Sequence, residues 1–199
     1  MTVASVVVVY HSGYGHTAVL ADAVHSGACG AGAEAARISV DSMSDADWEV
    51  LDSADAIVFG SPTYMGTASA AFHSFAQATA KRWAAQKWAG KLAAGFTNSG
   101  AKNGDKLHTL QYMSLLAAQH GMNWVNLGLL PGWNLSTSTE DDLNRLGIFI
   151  GAGAQSNNDQ GADAVHASDI ATARHLGRRV AEQARVLKAG RAALAVDGL

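Results

Sequence analysis

An apolar strand followed by a glycine-rich loop constrains this chain more than any other segment. Residues 3–10 include four consecutive valines, and residues 12–17 read Ser-Gly-Tyr-Gly-His-Thr. An uninterrupted apolar run predicts a strand buried on both faces, as in a parallel sheet. A helical pattern follows from about His16 to about Cys29. The sequence thus predicts a strand, a small-residue loop and a helix N-terminus, the arrangement that binds phosphate through backbone N–H groups and the helix dipole.

Strand and helix patterns alternate along the rest of the chain, which predicts βαβ units and a parallel sheet. Further strands are expected at residues 34–40, 55–60, 91–97 and 123–130. Asp105 is the expected N-cap of a helix that ends near His120, and Ser168 or Asp169 is the expected cap of the last helix. We expect one domain over residues 1–190 and a flexible tail over residues 191–199.

Composition excludes several classes of function. The chain of 199 residues has a formal net charge of −3, which gives no sign of a nucleic-acid partner. No apolar stretch reaches transmembrane length, so we expect no membrane insertion. With a single cysteine the chain forms no internal disulfide, which fits a reducing cytoplasm. No residue spacing suggests a metal site.

Three of the predicted strands end in loops of glycine and small polar residues, at residues 12–17, 61–66 and 97–104. Ligands of open α/β sheets bind beyond the carboxyl ends of the strands, where the strand order reverses. Ser12 and Thr17 offer hydroxyl groups to a phosphate, Tyr64 offers a stacking surface, and Asn98 and Ser99 offer polar groups to a ring edge. This combination predicts a flavin mononucleotide (FMN) site.

A dinucleotide site is the competing interpretation, because residues 13–18 also fit the pattern G-x-G-x-x-A. In that fingerprint the first glycine follows the strand directly, whereas here His11 and Ser12 intervene. The chain also leaves no room for the separate substrate domain of a dehydrogenase. Both observations favour FMN.

The chain resembles the flavodoxin-like superfamily and, within it, the WrbA-type NAD(P)H:quinone oxidoreductases. The resemblance rests on residues 10–16 and 57–66, on Gly-Lys-Leu-Ala at 90–93, on Asn-Ser-Gly at 98–100, and on His-Gly-Met at 120–122. Tyr64 stands where the family usually has an arginine, and residues 132–167 align only loosely. The resemblance implies a flavodoxin-like α/β three-layer sandwich, with a five-stranded parallel sheet of order 2-1-3-4-5 and helices on both faces.

The resemblance also implies the roles of individual residues. His120 is the expected catalytic residue, donating to the flavin or protonating the acceptor, and Trp83 and Tyr14 are expected to bind the acceptor and the nicotinamide nucleotide. The expected cofactor-binding residues are Ser12, Gly13, Tyr14, Gly15, His16, Thr17, Pro62, Thr63, Tyr64, Met65, Gly66, Asn98, Ser99, Gly100, Ala101, Lys102 and Asn103.

The implied activity is the transfer of two electrons from NADH or NADPH, through FMN, to a quinone or a similar planar acceptor. Two alternatives stay open: an electron carrier of the flavodoxin type, which the low net charge disfavours, and a flavin reductase that releases reduced FMN. We expect a homodimer or homotetramer. The long stretch from 131 to 167, rich in glycine, asparagine and serine, is expected to be a functional or interface element that closes the active site of a neighbouring subunit.

Overall fold

A computed structural model describes residues 3–196 as alternating strands and helices around one central sheet. The strands are β1 Ser5–Tyr10, β2 Glu34–Ser39, β3 Ala56–Tyr64, β4 Thr67–Ala68, β5 Leu92–Ser99, β6 Asn123–Trp124 and β7 Ala152–Gln155. The helices are α1 His16–Gly30, α2 Asp45–Ser53, α3 Ala70–Ala78, α4 Ala80–Ala84, α5 Lys106–Gln119 and α6 Ala167–Val196. Short 3₁₀ turns lie at Val40–Ser42 and Ala162–Ala164.

The sheet has the order β2-β1-β3-β5-β6, in which neighbouring strands are parallel. The predicted order is therefore confirmed, because β4 only forms a two-residue antiparallel pair with β3. The predicted number of five strands is wrong, since the sheet contains seven. The added strands are the short β4 and β7, and β7 pairs with the second half of β5.

The fifth position of the sheet departs most from the prediction. Only Asn123–Trp124 of the strand expected at 123–130 pairs with β5, although the Val125 N–H still donates to the Ala93 carbonyl at 2.7 Å. Gly128 has φ +69°, a conformation that ends extended pairing. The chain then leaves the sheet and returns as β7. We call residues 125–151 the excursion.

The alternation of side chains along β1 creates two cores. Val6 and Val8 pack on one face against α1 and α6, whereas Val7 and Val9 pack on the other face against residues of α2, α3 and α5. All four side chains are buried. The prediction of a strand covered on both faces is therefore confirmed, and the three layers follow from it.

The helix ends differ from the predictions in three places. Asp105 precedes α5 with φ +54° and makes no side-chain capping bond. At the start of α6, the Ser168 hydroxyl donates to the Asp142 carbonyl and Asp169 pairs with Arg145, so neither caps the helix. Instead, His166 Nδ1 accepts the Ser168 N–H. Residues 191–196 continue α6 where a tail is expected, and residues 197–199 lie outside the described residues.

Helices α1 and α6 pack closely because each carries a glycine at the contact. A methyl group at Gly177 would collide with the backbone carbonyl of Val24, and one at Gly27 would collide with the carbonyl of Arg174. Backbone atoms do not move aside as flexible side chains do. The two glycines thus set the distance between α6 and the helix whose N-terminus faces the first loop.

We expect Gly177→Ala to lower the free energy of unfolding by about 1–3 kcal/mol, because the added methyl overpacks the interface. Urea denaturation followed by circular dichroism measures the change. Gly30→Ala is the matched control, since nothing lies within 4 Å of its added methyl. Equal effects of the two substitutions would contradict the packing argument.

Candidate functional site

A cavity of about 630 Å³ lies at the carboxyl edge of the sheet, a volume typical of small-molecule sites. All three predicted loops contribute to it, which confirms that they converge. We call it the loop cavity. Its lining residues are Tyr14, His16, Thr17, Pro62, Thr63, Tyr64, Met65, Asn98, Ser99, Gly100, Ala101, Ser156 and Asn158.

The first loop presents the N-terminus of α1 to this cavity. Gly15 has φ +89°, which turns the chain into the helix and which other residues rarely adopt. Ser12 Oγ accepts the Ala18 N–H at 3.1 Å, so the hydroxyl hydrogen of Ser12 remains available to a ligand. Thr17 lies buried in the first turn of α1. The first-turn amides that Ser12 does not engage form, together with two hydroxyl groups, an anion-binding arrangement.

Buried hydroxyl groups connect the second loop to β5 and α5. Thr63 Oγ1 lies 2.7 Å from Thr97 Oγ1 and 2.8 Å from Thr109 Oγ1. All three side chains are buried. Hydrogen bonds without competing water hold Pro62 and Thr63 in a fixed position against the third loop.

Asn98 provides an unpaired acceptor at the cavity wall. Its Nδ2 donates to Ser156 Oγ at 2.8 Å, whereas its buried Oδ1 has no hydrogen-bond partner among residues 3–196. A buried carbonyl oxygen without a donor is costly unless a ligand supplies one. The amide therefore fits a ligand with an N–H group.

Aromatic and apolar side chains form the outer rim of the loop cavity. Tyr14 is 79% exposed and Met65 is fully exposed, so both offer apolar surface at the mouth of the cavity. The rings of Tyr14 and Tyr64 meet edge to face, with centroids 6.4 Å apart. Burial raises the pKa of Tyr64, so its hydroxyl is neutral at physiological pH.

Behind the cavity, a buried ion pair supports the third loop. Arg145 of the excursion makes two hydrogen bonds to Asp169 of α6, each of 2.8 Å. The backbone N–H of Gln155 donates to Asp169 Oδ2 at 3.0 Å, and the Gln155 side chain donates to the Gly100 carbonyl at 2.9 Å. The excursion, α6 and β7 are thus joined to the loop at 99–103.

Most of the predicted cofactor-binding residues line the loop cavity. Ser12, Gly13, Gly15, Gly66, Lys102 and Asn103 lie in the same loops but outside its lining. Ser156 and Asn158 line it without having been predicted. The available signal is the cluster Gln-Ser-Asn-Asn-Asp-Gln at 155–160, which follows the Gly- and Ala-rich strand β7.

His120 and Trp83 do not line the loop cavity of this chain, where most of the other predicted site residues lie. They line a second, mainly apolar cavity of about 690 Å³ between α3, α4 and α5, which we call the helix cavity. The reason is the direction of α5. Lys106 begins this helix at the third loop, and a rise of about 1.5 Å per residue carries His120 on the order of 20 Å away.

Hydrogen bonding fixes the protonation of His120. The Thr79 hydroxyl donates its one hydrogen to the Ala76 carbonyl at 2.6 Å, so at 2.9 Å from His120 Nε2 it accepts an N–H. His120 therefore carries its hydrogen on Nε2. Its buried Nδ1 is an acceptor without a partner in the described part of the chain. Burial also lowers the pKa of His120, which favours the neutral ring.

Other sites are absent from the described residues. Between residues 3 and 196, no three His, Cys, Asp or Glu side chains are close enough to hold a metal ion. No helix within the same residues combines the length and the hydropathy of a membrane-spanning segment.

Comparison with known proteins gives consistent similarities. Residues 12–130 match the family described as NADPH-dependent FMN reductase. The chain is 44% identical to flavodoxin FldP of Pseudomonas aeruginosa over 186 residues, covering 92% of this chain and 98% of the relative. It is 32% identical to an NAD(P)H dehydrogenase (quinone) of Archaeoglobus fulgidus, covering 92% and 99%. The crystal structure of the flavodoxin, WrbA-like protein from Agrobacterium tumefaciens matches with a TM-score of 0.74 at 44% identity, covering 92% of this chain and 98% of that one.

We expect Asp169→Ala to lower the free energy of unfolding by about 3–5 kcal/mol, because the buried Arg145 charge loses its partner. Chemical denaturation measures the loss. The control is Asp163→Ala, an exposed position where the change is expected to stay within about 0.5 kcal/mol. A small effect at Asp169 would mean that the ion pair does not hold the wall behind the loop.

Proposed function

The chain belongs to the NADPH-dependent FMN reductase family, and from this membership we propose that it transfers two electrons from NADH or NADPH, through FMN, to a quinone or a similar planar acceptor. The observation that carries the proposal is the loop cavity, which is lined by the first turn of an anion-binding helix N-terminus and by Asn98, whose buried amide oxygen lacks a hydrogen-bond partner among the described residues. The quinone reductases among the relatives support the choice of acceptor.

The residues of the loop cavity fit FMN along its whole length. Ser12, Thr17 and the first-turn amides of α1 would hold the phosphate, which the helix dipole stabilises. Residues 62–65 would lie against the ring system. Asn98 Oδ1 would accept the ring N–H, and this contact would satisfy the buried oxygen that lacks a partner.

When bound, FMN supplies the redox chemistry, because it accepts a hydride equivalent from NAD(P)H and gives two electrons to the acceptor. The chain positions the reactants. Tyr14, Tyr64 and Met65 at the rim would stack against planar ligands and exclude water from the exposed face of the site. Amides of the third loop would stabilise negative charge that develops on the nearby ring edge.

A role as an electron carrier is the second candidate, and the similarity to flavodoxin FldP favours it. A carrier receives electrons from a separate reductase, whereas an enzyme of the proposed kind takes them from the free nucleotide. A formal net charge of −3 gives weak steering toward a basic partner protein. A reductase that releases reduced FMN is the third candidate, and it would hold its flavin only loosely.

Anaerobic titration of the purified holoprotein separates these functions. We expect NADH or NADPH alone to bleach the flavin absorbance, and added benzoquinone to restore it. A flavin that stays oxidised with both nucleotides, but is reduced once a separate reductase is added, would identify a carrier. Loss of the flavin to the filtrate after reduction would identify a flavin-releasing reductase.

His120 and Trp83 require a second copy of the chain if they act at the same ligand as the loops. They are held in the helix cavity, on the order of 20 Å from the third loop along α5. The proposal that these residues contact the cofactor or the acceptor is thus tied to the proposed homo-oligomer. In that assembly the helix cavity of one subunit would face the loop cavity of another.

Co-expression of two damaged chains tests this arrangement. We expect Trp83→Ala and Asn98→Ala each to lower quinone reductase activity, and mixed assemblies purified through two different tags to regain part of it, because some sites then combine intact halves. Light scattering gives the number of subunits. A fully active monomer would contradict a site shared between subunits, as would mixed assemblies no more active than their parents.

A further inference from the structure

Lys106 is a buried cation that the proposed chemistry does not use. The residue is only 1% exposed. Its ammonium donates to Ser99 Oγ at 2.7 Å and to the backbone carbonyls of Ala101, Lys102 and Asn103 at 2.6, 3.2 and 3.4 Å. All of these acceptors belong to the third loop, so the loop is folded around one positive charge.

This arrangement fixes the direction of the loop amides. In a planar trans peptide, the N–H group points opposite to the carbonyl that precedes it. Lys106 holds three successive carbonyls, and Gln155 Nε2 holds the one before them, that of Gly100, at 2.9 Å. The N–H groups of residues 102–104 are therefore turned away from Lys106, and the N–H group of Ala101 is turned away from Gln155 Nε2. Successive N–H groups that point the same way form a site for electron-rich atoms.

We propose that Lys106 is a positioning residue for the cofactor ring, and that its ammonium holds the third loop so that the loop amides meet the acceptor-rich edge of the isoalloxazine. The inference rests on the proposed FMN site. Ser99, Gly100 and Ala101 line the loop cavity directly, so the carbonyls of Gly100 and Ala101, which Gln155 and Lys106 hold, belong to residues of its wall. Lys106 itself acts from behind that wall.

The charged groups that face Lys106 leave the loop carbonyls as the groups that stabilise its ammonium. Asp169 of α6 attracts the ammonium and Arg145 of the excursion repels it. Asp169 is engaged by Arg145 through two hydrogen bonds, and Glu140 also faces Arg145, at 3.6 Å. A cation at the first residue of α5 is opposed by the helix dipole as well. The loop oxygens are thus the principal direct partners of the ammonium.

Burial lowers the pKa of Lys106 to about 8. The ammonium is present below that pH and is lost as the pH rises through it. Between about pH 8 and the ordinary lysine pKa the unfolded chain binds more protons, so this group's contribution to the free energy of unfolding rises with pH. A flavin affinity that falls over the same range therefore does not report unfolding caused by this group.

Flavin binding to the apoprotein, followed by fluorescence quenching, tests the inference. We expect Lys106→Met to raise the dissociation constants of FMN and of riboflavin by the same factor, about tenfold, because charged hydrogen bonds behind the ring are lost. Thr17→Val is expected to weaken FMN more than riboflavin, because riboflavin has no phosphate. Lys87→Met, at an exposed position, is expected to change neither.

The pH dependence separates positioning from a purely structural role. For wild type, we expect riboflavin affinity to fall between about pH 7 and about pH 9, whereas Lys106→Met shows no such fall. If Lys106→Met binds riboflavin as tightly as wild type, or shows the same pH dependence as wild type, the inference is overturned. In either case, FMN binding by wild type still supports the proposed function. Wild type that binds neither flavin would instead overturn the proposed function.

If Lys106→Met does not fold, as judged by circular dichroism, the inference is tested with the wild-type protein alone. Its riboflavin affinity and its free energy of unfolding are then measured across the same pH range. Affinity that falls while stability holds or rises supports the inference. Affinity that is constant, or that falls together with stability, overturns it.

Discussion

Burial of both faces of the central strands is the constraint on which the rest of this structure depends. Residues 56–63 of β3 are buried without interruption, and β1 and β5 are nearly so. Strands of this kind need helices on both sides, and parallel neighbours need long crossover connections. Each crossover leaves the sheet at the carboxyl ends of its strands. The loops that follow β1, β3 and β5 therefore share one edge, and the loop cavity is a consequence of how the core is covered.

Side-chain patterns made the central part of the fold predictable. The valine run of β1 and the apolar β3 specify strands by residue type, and the strand order follows from the flavodoxin-like resemblance. The sequence does not predict β7, because Ala-Gly-Ala-Gln has neither an alternation of apolar and polar residues nor any β-branched residue. α2 was missed although Ser44 and Asp47 form a capping box, a signal that the sequence does contain.

The candidate site was predictable where it depends on loops and unpredictable where it depends on burial. Sequence placed the three loops together, yet no pattern marks Lys106 as a buried lysine, because a lysine at the start of a helix is ordinarily solvated. The location of His120, far from the three loops, could have been derived from the predicted topology. A helix that follows β5 must run back toward the amino edge of the sheet, so a residue at its end lies far from the carboxyl-edge loops.

The excursion divides the fifth sheet position, and the chain that returns after it brings Ser156 and Asn158 to the loop cavity. β6 occupies the first half of the edge beside β5, and β7 occupies the second half. Hydrogen bonds from Leu127 N to Phe149 O and from Trp124 Nε1 to Ile150 O close its base. A single continuous strand at this position would run the whole length of β5 before its loop began.

Because the chain instead re-enters the sheet as β7, the residues that follow β7 lie beside the third loop. There Ser156 bonds Asn98, Gln155 bonds Gly100, and the Arg145 charge brought by the excursion is neutralised by Asp169. The segment after β7 is thus joined to the third loop by hydrogen bonds, beside those that Lys106 donates to the same loop.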